Sequence, residues 1–263
     1  MRRPLVIGNW KMNGTKSSVA KLIDSTLAHW HGMHQAEVAV CAPYVHLGQV
    51  ARQLAESNIH FGAQDVSQYE DGAYTGDISA AMLADMFCHF VIVGHSERRQ
   101  FYSESDELVA KKFAAVLAAK MTPVLCIGES LQQRDGGETL KVVERQLQAV
   151  IDRVGIEKMS HAVVAYEPIW AIGTGRTATP QQAEEVHSFI REQLKSSGLT
   201  VRILYGGSVK ANNAAELFEQ QNIDGGLVGG ASLNADDFLD ICRAAELPST
   251  VNKINAIDQQ KQN

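Results

Sequence analysis

The 263-residue chain has no apolar run of about 18 residues, so no segment is long enough to span a membrane as a helix. Its start, Met1-Arg2-Arg3-Pro4, carries two cations. The apolar stretch behind them is broken at Asn9 and Lys11, too soon for a signal-peptide core. Cysteine is scarce, and Cys41, Cys88, Cys126 and Cys242 lie far apart with no paired spacing. That argues against a disulfide framework and leaves four reduced core thiols, as expected of a cytoplasmic protein. Positive charge is also short, with 24 Lys and Arg against 30 Asp and Glu, for a net charge of −6. Nucleic acid needs a basic face, so neither it nor a membrane is expected as a partner. A single small anion needs only a local positive site. No Gly-x-Gly-x-x-Gly turn follows the first apolar run, which counts against an open dinucleotide-binding sheet.

What is present is a repeat. Short, largely apolar runs fall at Leu5–Gly8, Val38–Cys41, Ile59–Gly62, Phe90–Val93, Pro123–Ile127, Ala162–Tyr166, Val201–Tyr205 and Leu227-Val228. Amphipathic stretches at helical spacing lie between several of them: Val19, Leu22, Ile23, Thr26, Leu27 and Trp30; Val109, Phe113, Val116 and Leu117; Leu140, Val143, Leu147 and Val150; Val186, Ile190 and Leu194. One unit every ~30 residues is the length of a βα repeat, and unbroken apolar strands are those of a parallel sheet covered on both sides. The pattern predicts one α/β domain over residues 1–247, a single (β/α)8 barrel of eight parallel strands with outer helices. A doubly wound open sheet is the rival. Residues 248–263 are polar and are expected to fray.

The most informative stretch runs from Val163 to Thr179. A buried strand ends in Glu167, and Pro168 then stops the sheet ladder. Apolar Ile169-Trp170-Ala171-Ile172 and flexible Gly173-Thr174-Gly175 follow before a helical pattern opens at Pro180. Most strand-to-helix turns take about 2–6 residues, so this one reads as a lid over a tuned carboxylate base. Other strand ends supply Asn9 and Lys11, His95 and Glu97, Glu129, Ser208, and the pairs Gly206-Gly207 and Gly229-Gly230. An amine, an imidazole, a carboxylate and two glycine-rich turns on one rim make a proton-transfer site beside a phosphate cradle. Glycine admits backbone N–H groups close to an anion, and strands 7 and 8 are the usual place for such a cradle in a barrel.

These residues, over Asn9 to about Ala245, resemble the triosephosphate isomerase family. That family is itself the standard illustration of this barrel, base and lid, so the roles that follow are implied by the resemblance. It implies an aldose–ketose isomerase acting on a triose phosphate, with Lys11, His95 and Glu167 catalytic and no metal or cofactor. Asn9, Lys11, Gly173, Ser208, Gly229 and Gly230 would bind substrate. Glu97 would pair with Lys11, and Tyr205 with Ser208 would hold the closed lid. The long loop at residues 63–76 would join a homodimer and bring Thr75 to the neighbouring site. The sequence departs from the family at Arg176, where lysine is common. The alternatives are a barrel enzyme for a larger phosphorylated ligand and a non-catalytic sugar-phosphate-binding barrel.

Two features are set aside. His29, His31 and His34 suggest a metal tract, but they fall where the first helix ends, and no carboxylate or cysteine joins them at ligand spacing. Glu129 is expected to be structural, as a partner for Trp170. Gly225-Gly226 has no functional reading, and one hypothesis is that it loosens the barrel.

Overall fold

The computed structural model describes residues 2–33, 35–172 and 177–246. The tail expected to fray lies outside the described residues. Eight strands form the sheet: β1 Leu5–Asn9, β2 Glu37–Ala42, β3 Ile59–Ala63, β4 Phe90–Val93, β5 Thr122–Ile127, β6 Val163–Tyr166, β7 Arg202–Tyr205 and β8 Gly225–Val228. They pair in parallel in chain order, and β8 returns to β1, closing the barrel. The open-sheet rival is thereby excluded.

Closure explains why the strands are apolar at most positions on both faces, with polar residues such as Glu37, His60 and Arg202 near the strand starts. Alternate residues point to opposite faces of a strand. Leu5, Ile7, Phe90, Ile92, Val124, Cys126, Val163 and Leu204 belong to the smaller core cluster, which fills the barrel. Their neighbours Val6, Val91, Leu125, Val164 and Ile203 belong to the larger one, with Val19, Ile23, Phe113, Leu147 and Ile190 of the surrounding helices. A strand buried on both faces cannot show the polar alternation of a half-exposed sheet.

The helices expected from spacing are Lys16–Ala28, Asp106–Ala118, Thr139–Val154 and Pro180–Gln193. Thr15, Ser105 and Thr179 cap three of them through side-chain oxygens. Shorter helices at Leu47–Leu54, Ala80–Asp85, Leu131–Asp135 and Ala214–Phe218 complete the connections. Their one or two turns are too short for periodicity to declare. Ala235–Glu246 is long enough to have been read and was not. His29 closes the first helix, and its Nδ1 lies 3.2 Å from the Ser25 carbonyl oxygen, while His34 lies outside the described residues.

The Gly225-Gly226 pair has a physical account after all. Gly225 has φ +133°, and a Cβ there would drive into the Leu5 carbonyl oxygen across the seam between β8 and β1. Gly226 has ordinary φ, and its added Cβ would lie 3.3 Å from the Phe218 ring. The pair is therefore a closure device, not slack. Gly225→Ala is expected to cost about 3 kcal/mol or more, roughly 6–12 °C in melting temperature, and Gly226→Ala about 1 kcal/mol or less. Thermal melts of the two variants check this, and equal losses would refute the distinction.

Candidate active site

The C-terminal strand ends surround a cavity of about 620 Å³, lined by Asn9, Lys11, His95, Glu167, Gly206, Gly207, Ser208, Gly229 and Gly230. Residues from five strand ends thus meet in one pocket.

Lys11 sits just past β1 in the left-handed region, φ +52°, a costly place for a side chain other than glycine. Three hydrogen bonds hold it there. The Asn9 side-chain oxygen accepts the Lys11 N–H at 3.0 Å. The Gln64 amide donates to the carbonyls of Lys11 and Cys41, both at 2.9 Å. The ammonium is thereby aimed at Glu97 Oε1, 2.5 Å away. Gln64 was visible in the sequence only as one polar residue of a long loop, because its partners are backbone carbonyls just past β1 and in β2.

Glu167 follows β6 and is only 2% exposed. Its Oε1 lies 2.9 Å from His95 Nε2, and its Oε2 accepts the Ser96 backbone N–H at 2.8 Å. Burial pushes its carboxyl up, but His95, the Ser96 N–H and the Lys11 field together bring it below the ordinary value. Burial likewise opposes charge on His95, and the adjacent carboxylate outweighs it and raises the imidazole's proton affinity. His95 Nδ1 accepts the Glu97 N–H at 3.3 Å, at the start of the helix Ser96–Tyr102. A nitrogen that accepts must keep its lone pair, so hydrogen bonding assigns the ring proton to Nε2. The pair is a carboxylate facing a neutral Nε2–H imidazole. The contact with Glu167 is what raises His95. Without it, burial is left to keep the ring neutral.

Glycine clears the space around Glu167. A Cβ on Gly206 would lie 2.9 Å from Glu167 Cγ, and one on Gly128 would strike the Glu167 carbonyl. Gln146 clamps Gly128 by both backbone groups, at 2.8 and 3.2 Å. Neither Gly128 nor Gln146 was singled out from sequence, since each acts on a residue distant in the chain. Across the cavity, a Cβ on Gly229 would lie 3.2 Å from Lys11 Cε, and Gly230 faces open space. A 3₁₀ turn, Gly230–Leu233, begins there and presents its N-terminal end. Ser208 is half-buried on the opposite lip, where Asn213 fixes its carbonyl at 3.0 Å.

The start of the lid is anchored below. The Trp170 indole donates to Glu129 Oε1 at 2.8 Å, Tyr166 donates to the same carboxylate at 3.1 Å, and Arg134 covers the Trp170 ring at 4.6 Å. Glu129 therefore has the structural role expected of it. Gly173 and Arg176 lie outside the described residues. Tyr205 is buried, with its hydroxyl beside the Ala178 backbone. Thr75 is exposed and does not line this cavity. Its loop is shaped by its own contacts: Ser67 donates to Asp77 at 2.6 Å, Ser79 donates to Asp71 at 2.9 Å, and Tyr69 stacks on Tyr74 at 4.0 Å.

A family model described as triosephosphate isomerase matches residues 4–245. The chain is 53% identical over 249 residues to the triosephosphate isomerase of Nitrosococcus oceani, covering 93% of this chain and 100% of that one. It is 55% identical to that of Thiobacillus denitrificans and 56% identical to that of Ectopseudomonas mendocina, each covering 93% of this chain and 99% of the relative.

The carboxyl of Glu167 should titrate below the ordinary glutamate range in the folded protein, held down by His95 and the Ser96 N–H against burial. A depressed carboxylate contributes stability that is present above its unfolded value and is lost as pH falls through the folded one. In His95→Gln the imidazole is gone while burial remains, so the titration should move upward. Carbon-13 NMR of the glutamate carboxyls checks both, and an unmoved resonance would break the proposed coupling.

Proposed function

Because the chain belongs to the triosephosphate isomerase family, we propose that the cavity residues divide between them the proton transfers and the charge stabilisation of that reaction. The chain is an intramolecular aldose–ketose isomerase that interconverts glyceraldehyde 3-phosphate and dihydroxyacetone phosphate. The reaction moves one proton between adjacent carbons and changes which oxygen carries hydrogen.

Glu167 is the base. It leaves Ser96 and His95, takes the proton from the carbon beside the carbonyl, and returns it to the neighbouring carbon. The Nε2–H that His95 offers the carboxylate is then free to donate to the substrate oxygens and to pass a proton between them. Lys11 and Asn9 stabilise the enediolate and its phosphate. A general base typically contributes ~10²–10⁴-fold and one oxyanion donor ~3–4 kcal/mol, so neither suffices alone and several groups are required. Ser208, Gly229 and Gly230 cradle the phosphate, joined by Gly173 through the family likeness. The lid that Pro168 opens, held by Tyr205 and Ser208 when closed, excludes water and keeps the enediolate from expelling phosphate. No metal or cofactor is needed for this chemistry.

The reading rests chiefly on one observation. An amine, an imidazole and a carboxylate from β1, β4 and β6 line a single pocket, with the carboxylate and imidazole already in contact. Residues 1–247 are read as one catalytic domain. A homodimer through the 63–76 loop is part of the same proposal, with Thr75 serving the neighbouring site. Supporting it, Met12, Val45, Phe87, Phe101 and Tyr102 are largely exposed on segments flanking β1 to β4, the half of the barrel from which the loop projects. Four buried free thiols suit a cytoplasmic location. No described helix is long and apolar enough to cross a membrane. Neither alternative drawn from the sequence gains support: the relatives carry the enzyme's name, and the base has its partners.

In Glu167→Asp the carboxylate retreats by about 1 Å, and turnover should fall on the order of 10²-fold. A coupled isomerase assay measures it, and near-normal turnover would remove Glu167 from its role. Sedimentation should give twice the chain mass at micromolar concentration, and a monomer of full activity would dismiss the dimer.

A further inference from the structure

A second and larger hollow lies on the opposite side of the barrel, where β5, β6 and β7 begin. The length of the strands separates it from Glu167. Its volume is about 990 Å³. That is the scale of a site for an organic ligand, well beyond an inorganic ion.

Its lining is basic. Lys120, Arg153, Lys158, His161 and Arg202 all border it, and no carboxylate does among the described residues. Arg202 is engaged, since it pairs with Glu37 and lies over the Phe90 ring. The side chains of the other four have no ion pair or hydrogen bond within the described structure, although the chain as a whole carries −6. A concave surface lined by one sign of charge, with low-dielectric walls, focuses potential on whatever enters it.

Helix ends account for part of this pattern. The helices Asp106–Ala118 and Thr139–Val154 both finish here, and their carbonyl ends favour basic side chains nearby. That explains a cation such as Arg153, but not the hollow between the cations. Nor does it explain Lys120, which follows its helix with φ +60°, where glycine costs less. The floor is apolar, with Leu117 and Val154 facing the same space. A ligand matching both surfaces has several negative charges at one end and an apolar body at the other.

We propose that this hollow binds a small organic oligophosphate, with the phosphate chain across the four free basic groups and the apolar body on the floor. The site is independent of the isomerase pocket, because the two share no lining residue.

Calorimetric titration of the whole protein with magnesium-free ATP, and separately with inorganic tripolyphosphate, tests this. Binding of ATP is expected, weakened about tenfold or more in the double variant Arg153→Gln, Lys158→Gln and unchanged in Lys11→Ala. Tripolyphosphate should bind more weakly than ATP, since it lacks the apolar body. Both substituted residues are exposed, so the double variant should fold and keep wild-type isomerase turnover. The proposal is overturned if ATP does not bind, if the double variant binds it equally well, if Lys11→Ala abolishes binding, or if tripolyphosphate binds as tightly as ATP.

Discussion

A carboxylate taken out of water stays ionised only if donors replace the water it loses, and Glu167 keeps its charge through two of them. His95 Nε2 and the Ser96 N–H each take one oxygen. The rest of the site follows from this arrangement. The imidazole proton must be on Nε2, so Nδ1 must accept, and the Glu97 N–H at the start of a helix is there to donate. In the proposed mechanism the donor that stabilises the resting carboxylate is released for the substrate oxygen when Glu167 moves. Gly206 allows that movement, because a side chain there would press on the base.

A second layer makes the first possible. Lys11 would not hold a left-handed backbone unaided, and Asn9 and Gln64 secure it from two strands. Arg99 joins the exits of β4 and β5 by bonding the carbonyls of Gly94 and Cys126, while its far nitrogen pairs with Asp106. Gln146 clamps Gly128 beside the base. Gln64, Arg99 and Gln146 touch backbone rather than substrate space, and they set the distances on which the chemistry depends. Misplacement of a reacting group by about 1 Å is enough to cost two orders of magnitude.

The two ends of the barrel differ in how charge is managed. At the C-terminal mouth Lys11 pairs with Glu97, and the Glu167 carboxylate is held by the His95 imidazole. At the opposite end, where helices finish, four basic groups border a hollow with no partner among the described residues. Parallel strands impose the asymmetry, since every helix then points the same way and the two rims receive opposite ends of the helix dipoles.

The barrel could be read from the chain because burial on both faces leaves a local trace, an unbroken apolar run such as Phe90–Val93, repeated at the interval of a βα unit. Glu167, His95 and Lys11 were legible for a related reason: each stands within two residues of a strand end, and Pro168 and Gly94 mark the stop for the first two. Gln64, Gly128, Gln146 and the purpose of Gly225 were not, because each is defined by a backbone atom far along the chain. No local pattern records that Gly225 lies against Leu5 across the closing seam. The sequence by itself determined which residues are buried, where strands end and which reactive groups stand at those ends, since these depend on neighbours within a few positions. Only the tertiary structure decided which oxygen meets which nitrogen, and so which group holds the proton, because those distances exist only once the eighth strand has closed on the first.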